Sequence, residues 1–242
     1  MQVEVVNLPC DLKPKHVRDR AVVVLDVLRA TTTMIAALRA GATEIRIFES
    51  LDAARTAARG VADRAILCGE ERCQKPSDFD LGNSPADFAR EEIAGRTLFM
   101  STTNGTRAIV AARGAPIVVV GALINATSIA NALALSRRDV TLLCAGTDGA
   151  FSIEDFIGAG AIIHRLADAS LSATARSSLA NYLDAKNNLR EALRAGPGGR
   201  NVMAAGLEAD IDFAANIDSI EFVGRVHANP LTVRRHDPGD AV

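Results

Sequence analysis

The chain has 242 residues, 48% of them apolar, enough for one large α/β core or two small ones. Its 27 basic and 29 acidic side chains leave a formal charge of −2, so no nucleic-acid partner is expected. With 4% aromatic residues and no Trp, there is also no stacking surface for bases. The N-terminus carries acid early and has no signal-peptide run, and no stretch reaches the roughly 20 uninterrupted apolar residues that span a bilayer. No membrane partner and a cytoplasmic location are therefore expected.

In chain order, residues 3–7 read as a first strand, and residues 8–20, broken by Pro9 and Pro14, as a loop. Residues 22–27 read as a strand buried on both faces, interrupted only by Asp26 near its end. Arg29 and Thr31, Thr32 and Thr33 follow, then a small-residue helix over 34–40 that Gly41 closes. A strand over 45–49 leads to an alanine-rich helix over 51–59. The strand 65–68 runs into Gly69-Glu70-Glu71-Arg72. Residues 73–85 are loop in composition and 86–92 a short helix.

Strands are predicted at 97–101, 117–121 and 140–144. Helices follow the turn Thr102-Thr103-Asn104-Gly105-Thr106, occupy 127–135, and open at Ser152 to run to about residue 167. Residues 170–195 read as mostly helical, with a break at 196–199. A helix over 202–206 and a strand over 220–223 come next, and residues 236–242 read as a terminal tail. Regular alternation of strand and helix predicts a three-layer α/β/α fold around a mainly parallel sheet. It is expected as one domain over 1–242, with a sub-domain boundary near 95–100 as the alternative.

Three segments, starting at residues 22, 97 and 140, share one design: a buried strand, a turn rich in Thr, Gly or Asp, then a helix ending in Gly-Ala. In a parallel sheet with right-handed crossovers the three turns reach one edge, where open α/β sheets bind ligands. The acids offered there are Asp26, Glu70, Glu71, Asp148, Glu154 and Asp155, and the cations are Arg29 and Arg72. Several oxygen ligands beside a hydroxyl-rich, glycine-containing loop suit Mg²⁺ and a phosphate together. Two plainer readings stand beside this. Ser152 and Asp155 have the spacing of a helix capping box, and Asn104-Gly105 can be a simple turn.

The four cysteines form no CxxC pair, and the four histidines are scattered, which argues against zinc. Cys68 and Cys144 end apolar runs and read as buried thiols. No GxxxxGK[ST] and no strand-associated GxGxxG is present, which disfavours P-loop and dinucleotide chemistry.

Four ordered blocks resemble the 2-phosphosulfolactate phosphatase family. They are DVLRATTT at 26–33, FDLGNSP at 79–85, TTNGT at 102–106, and CAGT at 144–147 with SIED at 152–155. Gly199-Arg200 and residues 206–210 extend the likeness weakly. The resemblance implies an Mg²⁺-dependent phosphatase that hydrolyses 2-phospho-3-sulfolactate to sulfolactate and phosphate, a step of coenzyme M biosynthesis. The implied catalytic residues are Asp26, Arg29, Glu70 and Asp155. Metal ligands are expected among Asp26, Glu70, Glu154 and Asp155, with Asp26 a ligand or alternatively the nucleophile. Substrate contacts are expected from Thr31, Thr32, Thr33, Arg72, Asn83, Ser84, Thr102, Thr103, Asn104, Gly105 and Thr106. The expected partner is a small anionic phosphorylated substrate, and a homodimer is compatible with the reading. Many members read Gly-Glu-Arg with a glycine soon after, whereas here the run is Gly69-Glu70-Glu71-Arg72-Cys73. A phosphosugar isomerase or lyase, and a non-catalytic anion-binding module, remain as alternatives.

Overall fold

A computed structural model describes residues 1–61, 65–88 and 91–237. Its strands are β1 (Gln2–Val6), β2 (Ala21–Leu25), β3 (Glu44–Ile47), β4 (Ala65–Gly69), β5 (Thr97–Ser101), β6 (Ile117–Gly121), β7 (Val140–Cys144), β8 (Ser170–Leu171), β9 (Val223–Ala228) and β10 (Leu231–His236). The helices are α1 (Ala30–Arg39), α2 (Leu51–Ala58), α3 (Gly105–Ala112), α4 (Ala126–Ser136), α5 (Ile153–Ile163), α6 (Ala173–Ala185), α7 (Leu189–Ala195), α8 (Pro197–Ala204) and α9 (Glu208–Ala214). Among the described residues no helix is long and apolar enough to cross a membrane.

The strands form one sheet in the order β4-β5-β3-β10-β9-β6-β2-β7-β1-β8. β2 sits inside it, parallel to β6 and β7, and its five residues are all buried. Val23 and Leu25 pack on one face with α4 to α9, while Val22 and Val24 pack on the other with α1 and α3. This makes the expected three-layer α/β/α arrangement, and it explains why β2 is apolar throughout: a strand covered on both sides has no solvent face to make polar. Residues 95–100 lead into and form most of β5, an interior strand of the same sheet.

The C-terminal hairpin differs from expectation. A single strand was predicted at 220–223, but the chain forms β9 and β10, paired along their whole length, and β10 runs to His236. Residues 238–242 of the expected tail lie outside the described residues. The inward positions Gly224, Val226 and Val233 alternate with Arg225, Arg234 and His236, so the pattern of period 2 was present but masked by its charge. β9 lies antiparallel to β6 and β10 antiparallel to β3. Three successive antiparallel pairings therefore set the block β4-β5-β3 in the opposite sense to the block β6-β2-β7-β1-β8. In a flat sheet this would send the ends of β2 and β5 to opposite edges. They meet because the sheet curls over α1 and α3. α1 touches β6, β9 and β10, α3 touches β2, β3 and β6, and one apolar cluster runs from Ile66 in β4 to Val6 in β1.

Other elements shift locally. The predicted helix at 86–92 is two 3₁₀ turns, Pro85–Phe88 and Glu91–Ile93, with residues 89–90 outside the described residues. Residues 170–195 open with the short β8 before α6 and α7. The predicted break at 196–199 instead starts α8, with Pro197 at its first position, where a missing N–H costs nothing.

Candidate active site

Asp26 is the first residue beyond β2 and is 5% exposed. One carboxylate oxygen accepts the Ala30 N–H at 3.2 Å, and the Gly105 N–H also donates to this group. Asp26 thus sits at the N-termini of both α1 and α3, whose unpaired N–H groups suit an anion. Only glycine lets α3 come this close. A Cβ on Gly105 would fall 2.5 Å from the Ala30 Cβ and 2.7 Å from Asp26 Oδ2. Burial pushes the Asp26 carboxyl up to about 7, and Glu70 adds to the rise. The Ala30 and Gly105 N–H groups and Arg29 pull the other way.

Glu70 follows β4. Its carboxylate accepts the Thr103 N–H and the Cys73 N–H, both at 2.8 Å, which ties the β4 turn to the β5 turn. Gly69 makes this placement achievable. Its φ is +143°, and an added Cβ would lie 1.9 Å from the Ser101 carbonyl oxygen, which accepts the Glu70 N–H. Gly69→Ala is expected to cost about 2 kcal/mol or more and to lower turnover by displacing Glu70, read by thermal melting and initial rates. Wild-type values of both would show that the β4–β5 junction tolerates the displacement.

Arg29 is 4% exposed, and its guanidinium donates to Asp210 in α9 at 2.8 Å and to the Cys73 carbonyl at 3.2 Å. Ser84 Oγ donates to the other Asp210 oxygen at 2.5 Å. These contacts join α1, the 70–73 turn, the 83–84 segment and the C-terminal helices at one buried ion pair.

The residues expected at the site separate into two groups. Asp26, Arg29, Glu70, Arg72, Asn83, Thr103 and Asn104 line one cleft of about 590 Å³. Asn83 is 4% exposed, and its side-chain oxygen has no partner among the described residues. The other residues shape the walls and do not line the cleft. Thr31 Oγ1 lies 2.9 and 2.8 Å from the Asp26 and Gly121 carbonyls. Thr32 donates to the Val27 carbonyl and Thr33 to the Asn83 carbonyl, both at 2.8 Å. Thr102 and Thr106 bond each other's backbone N–H through their hydroxyls, at 3.2 and 3.1 Å, and so set the first turn of α3.

Asp155 and Glu154 are also committed. Asp155 accepts the Val27 N–H at 2.8 Å and the Gly146 N–H at 3.0 Å, joining the turns after β2 and β7. Burial, and then the nearby Asp26 charge, push its carboxyl well above the usual range. Its own N–H is capped by Ser152 at 3.2 Å, so the capping reading of this pair holds for the backbone. Glu154 accepts from Ser152 Oγ at 2.9 Å and from the Gly199 N–H at 2.8 Å, which seats the first turn of α8. The four carboxylates expected as metal ligands thus divide into Asp26 and Glu70 in the cleft and Glu154 and Asp155 beneath it. Among the described residues no group of three or more His, Cys, Asp and Glu side chains is placed to hold a metal ion.

The three predicted turns do meet. Asp26 and Arg29, Thr103 and Asn104, and Thr147 and Asp148 all line the cleft. Gln74 and the α8 residues Gly198 and Asn201 also line it, and the sequence reading assigns none of the three to a site. Asp210 was missed in the same way; its only signal was the weak likeness over 206–210. Arg72, Cys73 and Asp148 line the cleft with φ of 51°, 63° and 52°, and such sparsely populated conformations gather where function needs them.

A family model described as 2-phosphosulpholactate phosphatase matches residues 6–229, which includes every residue of this cleft. The chain belongs to that family. Curated relatives agree with the 2-phosphosulpholactate phosphatase assignment. A protein of Thermotoga petrophila is 35% identical over 221 residues, 91% of this chain and 93% of its own length. One of Synechococcus sp. strain CC9605 is 38% identical over 234 residues, covering 92% and 95%. One of Clostridium novyi is 34% identical over 236 residues, covering 96% and 100%. All three carry the name probable 2-phosphosulfolactate phosphatase.

Proposed function

We propose that the protein is a phosphoric monoester hydrolase that splits 2-phospho-3-sulfolactate into sulfolactate and phosphate with the help of Mg²⁺. The observation that carries this reading is the cleft itself. A buried guanidinium, Arg29, is held in place by Asp210 and stands with two helix N-termini against the carboxylates of Asp26 and Glu70. Family membership supports the substrate.

The donor set fits a hard divalent cation. Mg²⁺ binds through one or two carboxylates, keeps several waters and shares substrate phosphate oxygens, so it does not require a cage of protein ligands. Asp26 and Glu70 would hold it, and the unpartnered Asn83 oxygen offers a further neutral donor. A cation there would offset the repulsion that Glu70 adds to the burial of Asp26. When bound, Mg²⁺ supplies charge neutralisation to the phosphoryl oxygens and lowers the pKa of a coordinated water.

The chain's own residues supply position and charge, which phosphoryl transfer mostly requires. Arg29 holds phosphoryl oxygens with a guanidinium already fixed on two sides, so little side-chain freedom is lost on binding. Thr103 and Asn104 bound the phosphoryl group from the turn that precedes α3. Water attacks phosphorus and gives up a proton to a carboxylate of the cleft, the P–O bond to the ester oxygen breaks, and that proton is passed to the departing oxygen, which leaves as the hydroxyl of sulfolactate.

The test is release of inorganic phosphate from 2-phospho-3-sulfolactate. It is expected to stop in EDTA and to return with added Mg²⁺. Full activity after exhaustive chelation would remove the metal from the proposal. Conversion of substrate without phosphate release would favour an isomerase or lyase on the same anion pocket.

A further inference from the structure

The cleft adjoins a second groove of about 570 Å³, and the two share Glu70, Arg72, Gln74, Thr103 and Asp148 as a common wall. Acids outnumber cations on both sides, and what differs is which guanidiniums are left to meet an anion. Asp26, Glu70 and Asp148 all line the cleft, and its buried cation, Arg29, is paired with Asp210. A second strong anion placed there beside a phosphoryl group would face three carboxylates and, among the described residues, no unpaired cation except Arg72 at the wall.

The groove is lined by four cations, Arg55, Arg72, Lys75 and Arg107, and by five acids, Glu49, Asp52, Glu70, Glu71 and Asp148. Arg55 is committed to Asp52 and Asp78, each at 2.7 Å, and Lys75 donates to the Phe79 carbonyl at 2.6 Å. Arg72 and Arg107 line the groove and are exposed, and neither has an ion pair or hydrogen bond among the described residues. Arg107 stands in the first turn of α3, the helix whose preceding residues Thr103 and Asn104 face the cleft. Asp52 is paired with Arg55, but Glu49, Glu70, Glu71 and Asp148 also line the groove, so an anion is favoured there only where Arg72 and Arg107 can both reach it.

We propose that this groove seats the second strong anion of the substrate, its sulfonate, and that Arg107, with Arg72 on the shared wall, determines the preference for a sulfonated phosphoester. The inference rests on the reading of the cleft as the phosphoryl seat. A sulfonate is ionised at every physiological pH and offers three oxygens, which guanidinium donors match in charge and geometry. The 105–107 turn then serves both ends of the substrate: Gly105 packs on Asp26, and Arg107 reaches the far anion.

Two measurements test this with Arg107→Met and Arg107→Lys. The first is the ratio of kcat/KM for 2-phospho-3-sulfolactate to that for 2-phospholactate, which lacks the sulfonate. The second is calorimetric binding of 3-sulfolactate, which needs no turnover. Arg107→Met is expected to lower the ratio by about tenfold or more, mainly through KM, and to weaken 3-sulfolactate by a similar factor. Arg107→Lys, which keeps the charge, is expected to retain most of both. A ratio and an affinity within twofold of wild type in Arg107→Met would overturn the proposal. If the wild-type enzyme releases no phosphate from 2-phospho-3-sulfolactate, the functional reading falls and the binding measurement alone decides the subsite. Weaker 3-sulfolactate in Arg107→Met then supports it, and equal affinity overturns it.

Discussion

Asp26→Asn is expected to lower phosphate release by about 10²-fold or more while the protein remains folded. The carboxylate stands where two helix N-termini, Glu70 and Arg29 converge, and no other acid of the cleft is so placed. Asn keeps the size and one acceptor oxygen but loses the charge. Its amide would oppose one of the two N–H donors, at a cost of about 1–3 kcal/mol. Relief from burying a charge works against that cost.

The balance depends on pH, and the sign follows from the shift. The folded-state pKa is raised from 3.8 to about 7, so between those values the folded protein binds more protons than the unfolded chain. Stability from this group is therefore full below about pH 4 and lost as pH rises through 7. Measured in chelator, Asp26→Asn should be more stable relative to wild type at pH 7 than at pH 4. Wild-type kcat in Asp26→Asn would remove this residue from the mechanism, and a stability difference that ignores pH would show that the carboxyl does not titrate as its burial requires.

Asp210→Leu is expected to destabilise the fold by about 3–5 kcal/mol and to depress activity as well. Removing one partner of a buried ion pair leaves the other charge in a place that cannot solvate it. Both side chains of the Arg29–Asp210 pair are 3% exposed, and Ser84 loses its acceptor too. The double variant Arg29→Met, Asp210→Leu separates the two effects. With both charges gone, apolar packing should recover much of the lost stability. Activity should stay low, because the phosphoryl group has lost its guanidinium. Recovery of both would show that Arg29 serves the fold alone. Urea unfolding and phosphate release on the three proteins give the answer.

Much of the layout was legible in the chain. The strands at 97–101, 117–121 and 140–144 fall where predicted because a strand covered on both faces has to be apolar throughout, and its bounding turns stand out against it. The turn at 102–106 was readable for a related reason, since Thr-Thr-Asn-Gly-Thr is a poor helix interior and a good helix entrance. The sequence could also name Asp26, because an acid at the end of an apolar strand costs desolvation that only a specific environment offsets.

What it could not do was sort the acids. Glu154 and Asp155 read as possible ligands on type and position, and only their contacts tie them to the Gly199, Val27 and Gly146 N–H groups beneath the cleft. Asp210 is 181 residues from Arg29, and nothing local to α9 marks it as the partner. The meeting of the β2 and β5 turns was expected from a sheet running one way. It arises because an antiparallel hairpin reverses the β4-β5-β3 block and the sheet then curls over α1 and α3. Local pattern determines which residues must be buried and where the chain turns, because burial and turn chemistry are properties of a few neighbouring residues. Which buried carboxylate faces the substrate and which holds a backbone N–H depends on strand order and sheet curvature, which are set by long-range pairing, and only the tertiary structure decided that.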